Sequence, residues 1–151
     1  MNPVVIDASV AIKWVVDEVD SDAALAVMEG GPLVSPDLLI AECANILWKK
    51  VRRGELTVDE AITAARILQQ GDIDILPTRH LMDTATRLAI ALDHAAYDCI
   101  YLALAMEHGC PMVTADDRLR RKLSQSVGSG FSGEVLSMQQ AANSRRQEAG
   151  L

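Results

Sequence analysis

Aromatic side chains are scarce in this chain: one Phe, two Tyr and two Trp among 151 residues. A core built without them must be aliphatic, and a composition that is 50% hydrophobic can supply it from Val, Ile, Leu, Ala and Met. The same scarcity argues against a stacking platform for single-stranded nucleic acid. Cysteine is also sparse. Cys43, Cys99 and Cys110 are odd in number, form no Cys-x-x-Cys pair and mostly lie in apolar helical stretches. They read as reduced core residues of a reducing compartment, which excludes a disulfide framework or zinc site. Long apolar runs are missing too: Asp7 and Lys13 interrupt the first one, so no signal peptide is expected. No segment reaches the ~18 uninterrupted apolar residues of a membrane span. A soluble, cytoplasmic protein without membrane association is expected. Positive charge is short as well, with 14 basic against 21 acidic residues and a net charge of −7. That balance excludes indiscriminate wrapping of nucleic acid but allows a small footprint where cations reverse the field locally.

What the chain has is an alternation of short apolar runs and helical periodicities. Pro3 to Ile6 is a continuous apolar run suited to a strand buried on both faces. Helices are expected over 8–16 and 23–28, and a short strand at Leu33-Val34. Ser35-Pro36-Asp37 has the form of a helix start, with Ser as cap and Pro at the first helical position, for a helix running to about Arg53. Thr57 to Glu60 has capping-box form and opens a helix to about Gln70. A strand is expected at 73–76, and helices at 79–92 and 97–108. A strand at 112–114 and a short helix at 118–123 follow, then a Ser/Gly loop at 124–133. A short edge strand at Val135-Leu136 and a final polar helix reaching about residue 147 complete the chain. This alternation indicates an α/β fold with a mostly parallel, short-stranded sheet, and 151 residues fit one domain, 1–151.

Four acids stand where solvated surface charges are not expected. Asp7 closes the first apolar run, and Glu42 is embedded in Leu38-Leu39-Ile40-Ala41-Glu42-Cys43-Ala44. Asp98 opens an otherwise apolar segment, and Asp116 follows Met112-Val113-Thr114. Each has a plain alternative: Asp7 and Asp116 as helix caps, Asp98 as a first-turn acid beside the helix dipole, Glu42 in an ion pair. In parallel sheets ligands bind at the carboxyl ends of strands, where Asp7 and Asp116 both fall. If the fold gathers the four, their repulsion calls for a divalent cation, and hence for metal-dependent phosphoryl-transfer chemistry. Ser9 and Thr114 add hydroxyls at the same strand ends, and Asn45 lies one helical turn from Glu42. His80, His94 and His108 lack zinc-ligand spacing and read as ordinary helix residues.

The segment Val4-Val5-Ile6-Asp7-Ala8-Ser9-Val10-Ala11-Ile12-Lys13-Trp14 resembles the opening of PIN-domain proteins, especially VapC-type toxins of toxin–antitoxin pairs. Pro36 to Trp48, Tyr97 to Ala105 and Val113 to Asp116 resemble the family's later motifs, in family order, covering Val4 to about Leu123. The resemblance implies a PIN-like three-layer α/β/α domain with its core over about 3–123. It also implies Mg²⁺ or Mn²⁺ dependence and an endoribonuclease restrained by a cognate antitoxin. Its catalytic and metal-holding residues would be Asp7, Glu42, Asp98 and Asp116, with Ser9 and Thr114 in support and Asp117 or Asn45 nearby. The expected reaction is hydrolysis of an RNA phosphodiester by a metal-activated water, leaving 5′-phosphate and 3′-hydroxyl ends. A homodimer is also implied.

RNA would need cations. One cluster, Lys49, Lys50, Arg52 and Arg53, closes a helix, where positive charge also complements the dipole. Arg118, Arg120 and Arg121 follow Asp116 directly and are favoured for phosphate contact, with Lys13 beside the first strand end. Other chemistries fit less well. An aspartyl phosphatase of the haloacid-dehalogenase type needs a second Asp where Ser9 stands, and a receiver domain needs an Asp where Pro77 stands. The standing alternative is a catalytically weak or inactive PIN-like module that binds RNA or protein.

Overall fold

Three residues, Val4–Ile6, form strand β1, and all three are buried, as a central parallel strand covered on both faces requires. A computed structural model describes residues 2–126 and 128–150. Met1, Val127 and Leu151 lie outside it, and with them the outermost positions of the unit expected over 1–151 and one position of the expected 124–133 loop. The strands β2 (Leu33–Pro36), β3 (Asp74–Leu76), β4 (Met112–Val113) and β5 (Val135–Leu136) join β1 in one parallel sheet of order β3-β2-β1-β4-β5. The chain moves outward from β1 to β3, then returns to the other side of β1. Right-handed crossovers therefore place the earlier and later helices on opposite faces, giving the α/β/α layering expected. The reversal falls between β1 and β4, so the carboxyl ends of those two strands flank the crevice where such sheets bind ligands.

Among the described residues eight α-helices link or follow the strands: α1 (Ala8–Ala11), α2 (Ser21–Glu29), α3 (Leu38–Arg52), α4 (Val58–Gln69), α5 (Met82–Leu92), α6 (Ala96–His108), α7 (Asp117–Gln125) and α8 (Met138–Glu148). α6 packs on β1, β2 and β4, and α5 stacks on α6. Tyr101, Leu102 and Leu104 of α6 are wholly buried. Each such aliphatic side chain contributes roughly 1.5–3 kcal/mol through burial. Gly109 ends α6 in the left-handed conformation (φ 59°) that glycine adopts without steric cost. Among the described residues no single helix is long and apolar enough to cross a membrane.

Several expected boundaries move, each for a physical reason. The helix expected over 8–16 is one α-turn followed by a 3-10 turn, Ile12–Trp14, where the Trp14 indole donates to the Ala24 carbonyl at 2.7 Å. Ser35 and Pro36 do not start α3. They extend β2, because Pro36 pairs with Leu76 and the Asp37 amide donates to the Leu76 carbonyl at 2.9 Å. Ser35 Oγ donates instead to the Ile6 carbonyl at 2.9 Å, and the Asp37 carboxylate accepts from Thr78 at 2.7 Å. Pairing between strands thus outweighs a local capping signal. The capping box at Thr57 and Glu60 forms as expected. α7 extends to Gln125, into the stretch expected as loop.

α8 is clamped to α2 by Arg145, a cation only 4% exposed. Its guanidinium donates to the carbonyls of Val27 (3.2 Å) and Pro32 (2.7 Å). Gly30 allows this approach: a Cβ there would lie 2.5 Å from Arg145 Cδ and 2.8 Å from Arg145 Cβ. Gly30→Ala is therefore expected to cost about 1–3 kcal/mol, the usual price of overpacking. Urea denaturation measures it; an unchanged midpoint would mean that α8 does not pack this closely.

Candidate metal centre

The site grows from the ends of β1 and β4. Asp7 follows β1 directly and is buried, at 6% exposure. Its Oδ1 accepts from Ser9 Oγ at 2.5 Å and from the Val10 amide at 3.2 Å, capping α1. Its Oδ2 accepts from Thr114 Oγ1 at 2.5 Å. Ser9 Oγ in turn accepts from the Ala115 amide at 2.9 Å, and Thr114 Oγ1 from the Asp116 amide at 3.0 Å. Two hydroxyls thus tie the strand ends together around one carboxylate.

Every donor to Asp7 is neutral. Burial pushes its carboxyl up to about 6, the hydrogen bonds from Ser9, Thr114 and Val10 oppose the rise, and the nearby Asp98 charge adds to it. Glu42, half-buried on α3, has one donor, the Tyr101 hydroxyl at 2.5 Å from Oε1. Its carboxyl is raised by burial, against the Tyr101 bond, with Asp98 again contributing upward. Asp98 stands in the first turn of α6 and meets His94 Nε2 at 2.6 Å, their side chains 29% and 11% exposed. The fold therefore brings Asp7 and Glu42 each within reach of the Asp98 charge.

Asp116 is placed differently. Its Oδ1 accepts from the Arg118 amide at 2.9 Å and caps α7, with Arg118 Nε 3.6 Å away. Its amide, through Thr114, is one hydroxyl from Asp7. Asp117 is exposed and paired with Arg120 at 2.9 Å, and Asn45 is exposed. Arg120 also donates to Gln140 at 3.1 Å, whereas the Arg118 side chain is 80% exposed. Arg121 shares a surface recess with Asp117, Arg120 and Ser124. Lys13 is held by Glu18 at 3.0 Å and the Val19 carbonyl at 3.1 Å.

Among the described residues no three His, Cys, Asp or Glu side chains converge into a ready-made metal cage. The donor set nonetheless fits a divalent ion: buried or half-buried carboxylate oxygens, with no cation bonded to Asp7 or Glu42 among the described residues. Mg²⁺ commonly takes only one or two carboxylates directly and keeps several waters, so a closed cage is not required.

Two partners were missed by sequence reasoning. His94 was expected inside a helix, yet it lies in the connection before α6, four residues ahead of Asp98. Tyr101 was counted among apolar helix residues, although a buried tyrosine hydroxyl needs an acceptor, which was the available signal. Tyr101→Phe removes the one donor to Glu42 and is expected to weaken divalent-ion binding about 10-fold or more, as loss of an outer partner does. Calorimetric titration with Mn²⁺ measures it; unchanged affinity would remove Tyr101 from the site. The three cysteines are buried free thiols, and burial, then Glu42 and Asp7, pushes Cys43 up to about 12.

The family model described as PIN domain matches residues 4–122. Ribonuclease VapC3 of Pyrobaculum aerophilum is 34% identical over 126 residues, spanning 82% of this chain and 96% of that protein. Among solved structures, a Pyrobaculum aerophilum protein superposes with a TM-score of 0.67 at 21% identity, covering 99% of this chain and 91% of the other. Mycobacterium tuberculosis VapC20, described as a sarcin-ricin loop cleaving toxin, superposes with a TM-score of 0.63 at 14% identity, covering 85% and 96%.

Proposed function

The chain belongs to the PIN-domain family, and on that premise we propose that it is a divalent-metal-dependent endoribonuclease, the VapC-type toxin of a toxin–antitoxin pair. The observation that carries this reading is a buried Asp7 at the carboxyl end of β1, tied through Ser9 and Thr114 to the end of β4 at the switch in strand order, with the charge of Asp98 reaching both Asp7 and Glu42. The relative named a ribonuclease, matched over nearly its whole length, supports RNA as substrate.

The chain's own residues orient the reaction. Ser9 and Thr114 fix both oxygens of Asp7, Tyr101 fixes Glu42, and His94 fixes Asp98. Asp7, Asp98 and Glu42 would hold Mg²⁺ or Mn²⁺, with Asp116 joining through Oδ2 while Oδ1 caps α7. When bound, the ion neutralises these carboxylates, lowers the pKa of a water and stabilises charge on the phosphate oxygens. Glu42 Oε2, the oxygen not bonded to Tyr101, is left to orient a water. Arg118, with its side chain 80% exposed beside Asp116, is suited to a phosphate.

The chain is read as one PIN unit, because α8 returns to pack on α2. A cytoplasmic homodimer, restrained by a cognate antitoxin, belongs to the same proposal. Purified protein incubated with total RNA should give discrete products bearing 5′-phosphates in Mg²⁺ or Mn²⁺, and none in chelator. RNA left intact under every condition would favour the inactive binding module instead.

A further inference from the structure

A second cluster of charge lies beside the acids, in a cavity that opens at Ser9. Ser9, Ile12, Lys13, Glu18, Ile46, Lys49, Lys50, Arg53 and Ala115 line an open cavity of about 350 Å³. That volume falls within the ~300–1,000 Å³ of ligand clefts. Four of these residues are cationic, from two separate elements, in a protein whose net charge is −7. The single acid, Glu18, is shared: it bonds Lys50 at 2.5 Å and Lys13 at 3.0 Å. Burial raises the Glu18 carboxyl, but the two lysines outweigh it and hold it below its ordinary value. Glu18 thereby fixes both ammonium groups at the cavity wall. Lys49 and Arg53 are exposed and have no carboxylate partner among the described residues. Neighbouring Arg52 is placed differently, stacked over Trp48 at 5.0 Å.

Attraction to the α3 dipole would account for cations at that helix end. It does not account for Lys13, which comes from the 3-10 turn after α1, nor for a concavity opening at Ser9. Spacing supplies a further reason. Glu42, Ile46, Lys49 and Arg53 follow one another at three- or four-residue intervals, so they form one stripe along α3. At 1.5 Å per residue, Lys49 lies about 10 Å and Arg53 about 16 Å beyond Glu42 along the axis. A polyanion entering at Ser9 would leave the acids for this stripe.

We propose that Lys13, Lys49, Lys50 and Arg53 form a phosphate subsite that grips the RNA backbone next to the bond being cut. The proposal rests on the ribonuclease reading and deepens it, assigning the backbone contact that the acidic cluster cannot make.

The test is fluorescence anisotropy with a short, labelled, mixed-sequence single-stranded RNA, titrated across a range of salt. Asp98→Asn serves as the non-cleaving parent. Lys49→Ala with Arg53→Ala leaves the Glu18 network intact, and Arg66→Ala with Arg79→Ala removes equal charge from exposed positions elsewhere. The first pair should raise the RNA Kd about 10-fold and flatten the salt dependence by about 1.4 in log–log slope, at ~0.7 per phosphate contact. The control pair should do neither. Melting temperature and Mn²⁺ affinity, measured in the background carrying native Asp98, should be unchanged by the first pair. An unchanged RNA Kd and slope would overturn the subsite while leaving the ribonuclease reading standing. The same unchanged values with weakened binding of a polyglutamate peptide would assign the cavity to an acidic protein segment, and also overturn it. A parent that binds no RNA would overturn the subsite, whereas the ribonuclease reading falls only if the protein with native Asp98 cuts no RNA.

Discussion

Asp7→Asn is expected to abolish RNA cleavage and, without divalent ions at neutral pH, to make the protein more stable. The two effects come from one cause. Asp7 is buried among neutral donors, and its carboxyl rises from 3.8 to about 6 because burial penalises the charge. The folded state therefore binds this proton more tightly than the unfolded chain. Its contribution to stability is fully present below pH 3.8 and is lost as pH rises through 6. Above that value the ionised Asp7 weakens the fold by as much as about 3 kcal/mol, at 1.36 kcal/mol per unit. Asn keeps an oxygen for Ser9 and the Val10 amide but carries no charge, so most of the penalty disappears. Urea denaturation should show the gain above pH 6 and its disappearance near pH 4. Cleavage should fall by more than the ~10–100-fold typical of losing an outer partner, since Asp7 would touch the ion itself. A variant that is less stable at neutral pH, or that still cuts RNA at full rate, would contradict the assignment.

Divalent ions are expected to raise the melting temperature of the native protein at neutral pH and to lose that effect in acid. An ion at 100 times its Kd contributes about 2.7 kcal/mol to the folded state. For a chain of this size each kcal/mol moves the midpoint by roughly 2–4 °C, so a rise of about 5–10 °C is expected with Mn²⁺. Below about pH 6 a proton occupies Asp7 and competes with the ion. The rise should shrink there, and cleavage with it. Differential scanning calorimetry across pH, with and without Mn²⁺, reads this directly. A rise that persists undiminished well below pH 6 would place the ion elsewhere.

The sequence made the parallel sheet legible through its short apolar runs, and the acids through their position at element ends. Val4 to Ile6 suits an interior strand, which sets Asp7 at its carboxyl end. Less was legible where tertiary pairing competes with a local signal. Ser35 and Pro36 carry a helix-start pattern, yet the β2–β3 register claims them for the sheet. His94 and Tyr101 were hidden for another reason: each completes a bond to an acid whose position depends on packing. His94 reaches across a helix start, and Tyr101 reaches from α6 to Glu42, 59 residues away in sequence. Asp116 shows that a cap and a candidate ligand are not exclusive, since one oxygen caps α7 and the other is left. The basic stripe on α3 reads from sequence as dipole compensation, because only the fold sets Lys13 in the same cavity.

The most direct test of the account is Mn²⁺ titration by calorimetry on the native protein and on Asp98→Asn, paired with an RNA cleavage assay on the same samples. The native protein should bind Mn²⁺ and cut RNA only when the ion is present. Asp98→Asn should keep its fold, bind the ion on the order of 100-fold more weakly and cut nothing. Cleavage that continues in chelator, or full activity in Asp98→Asn, would contradict a metal centre built on these acids.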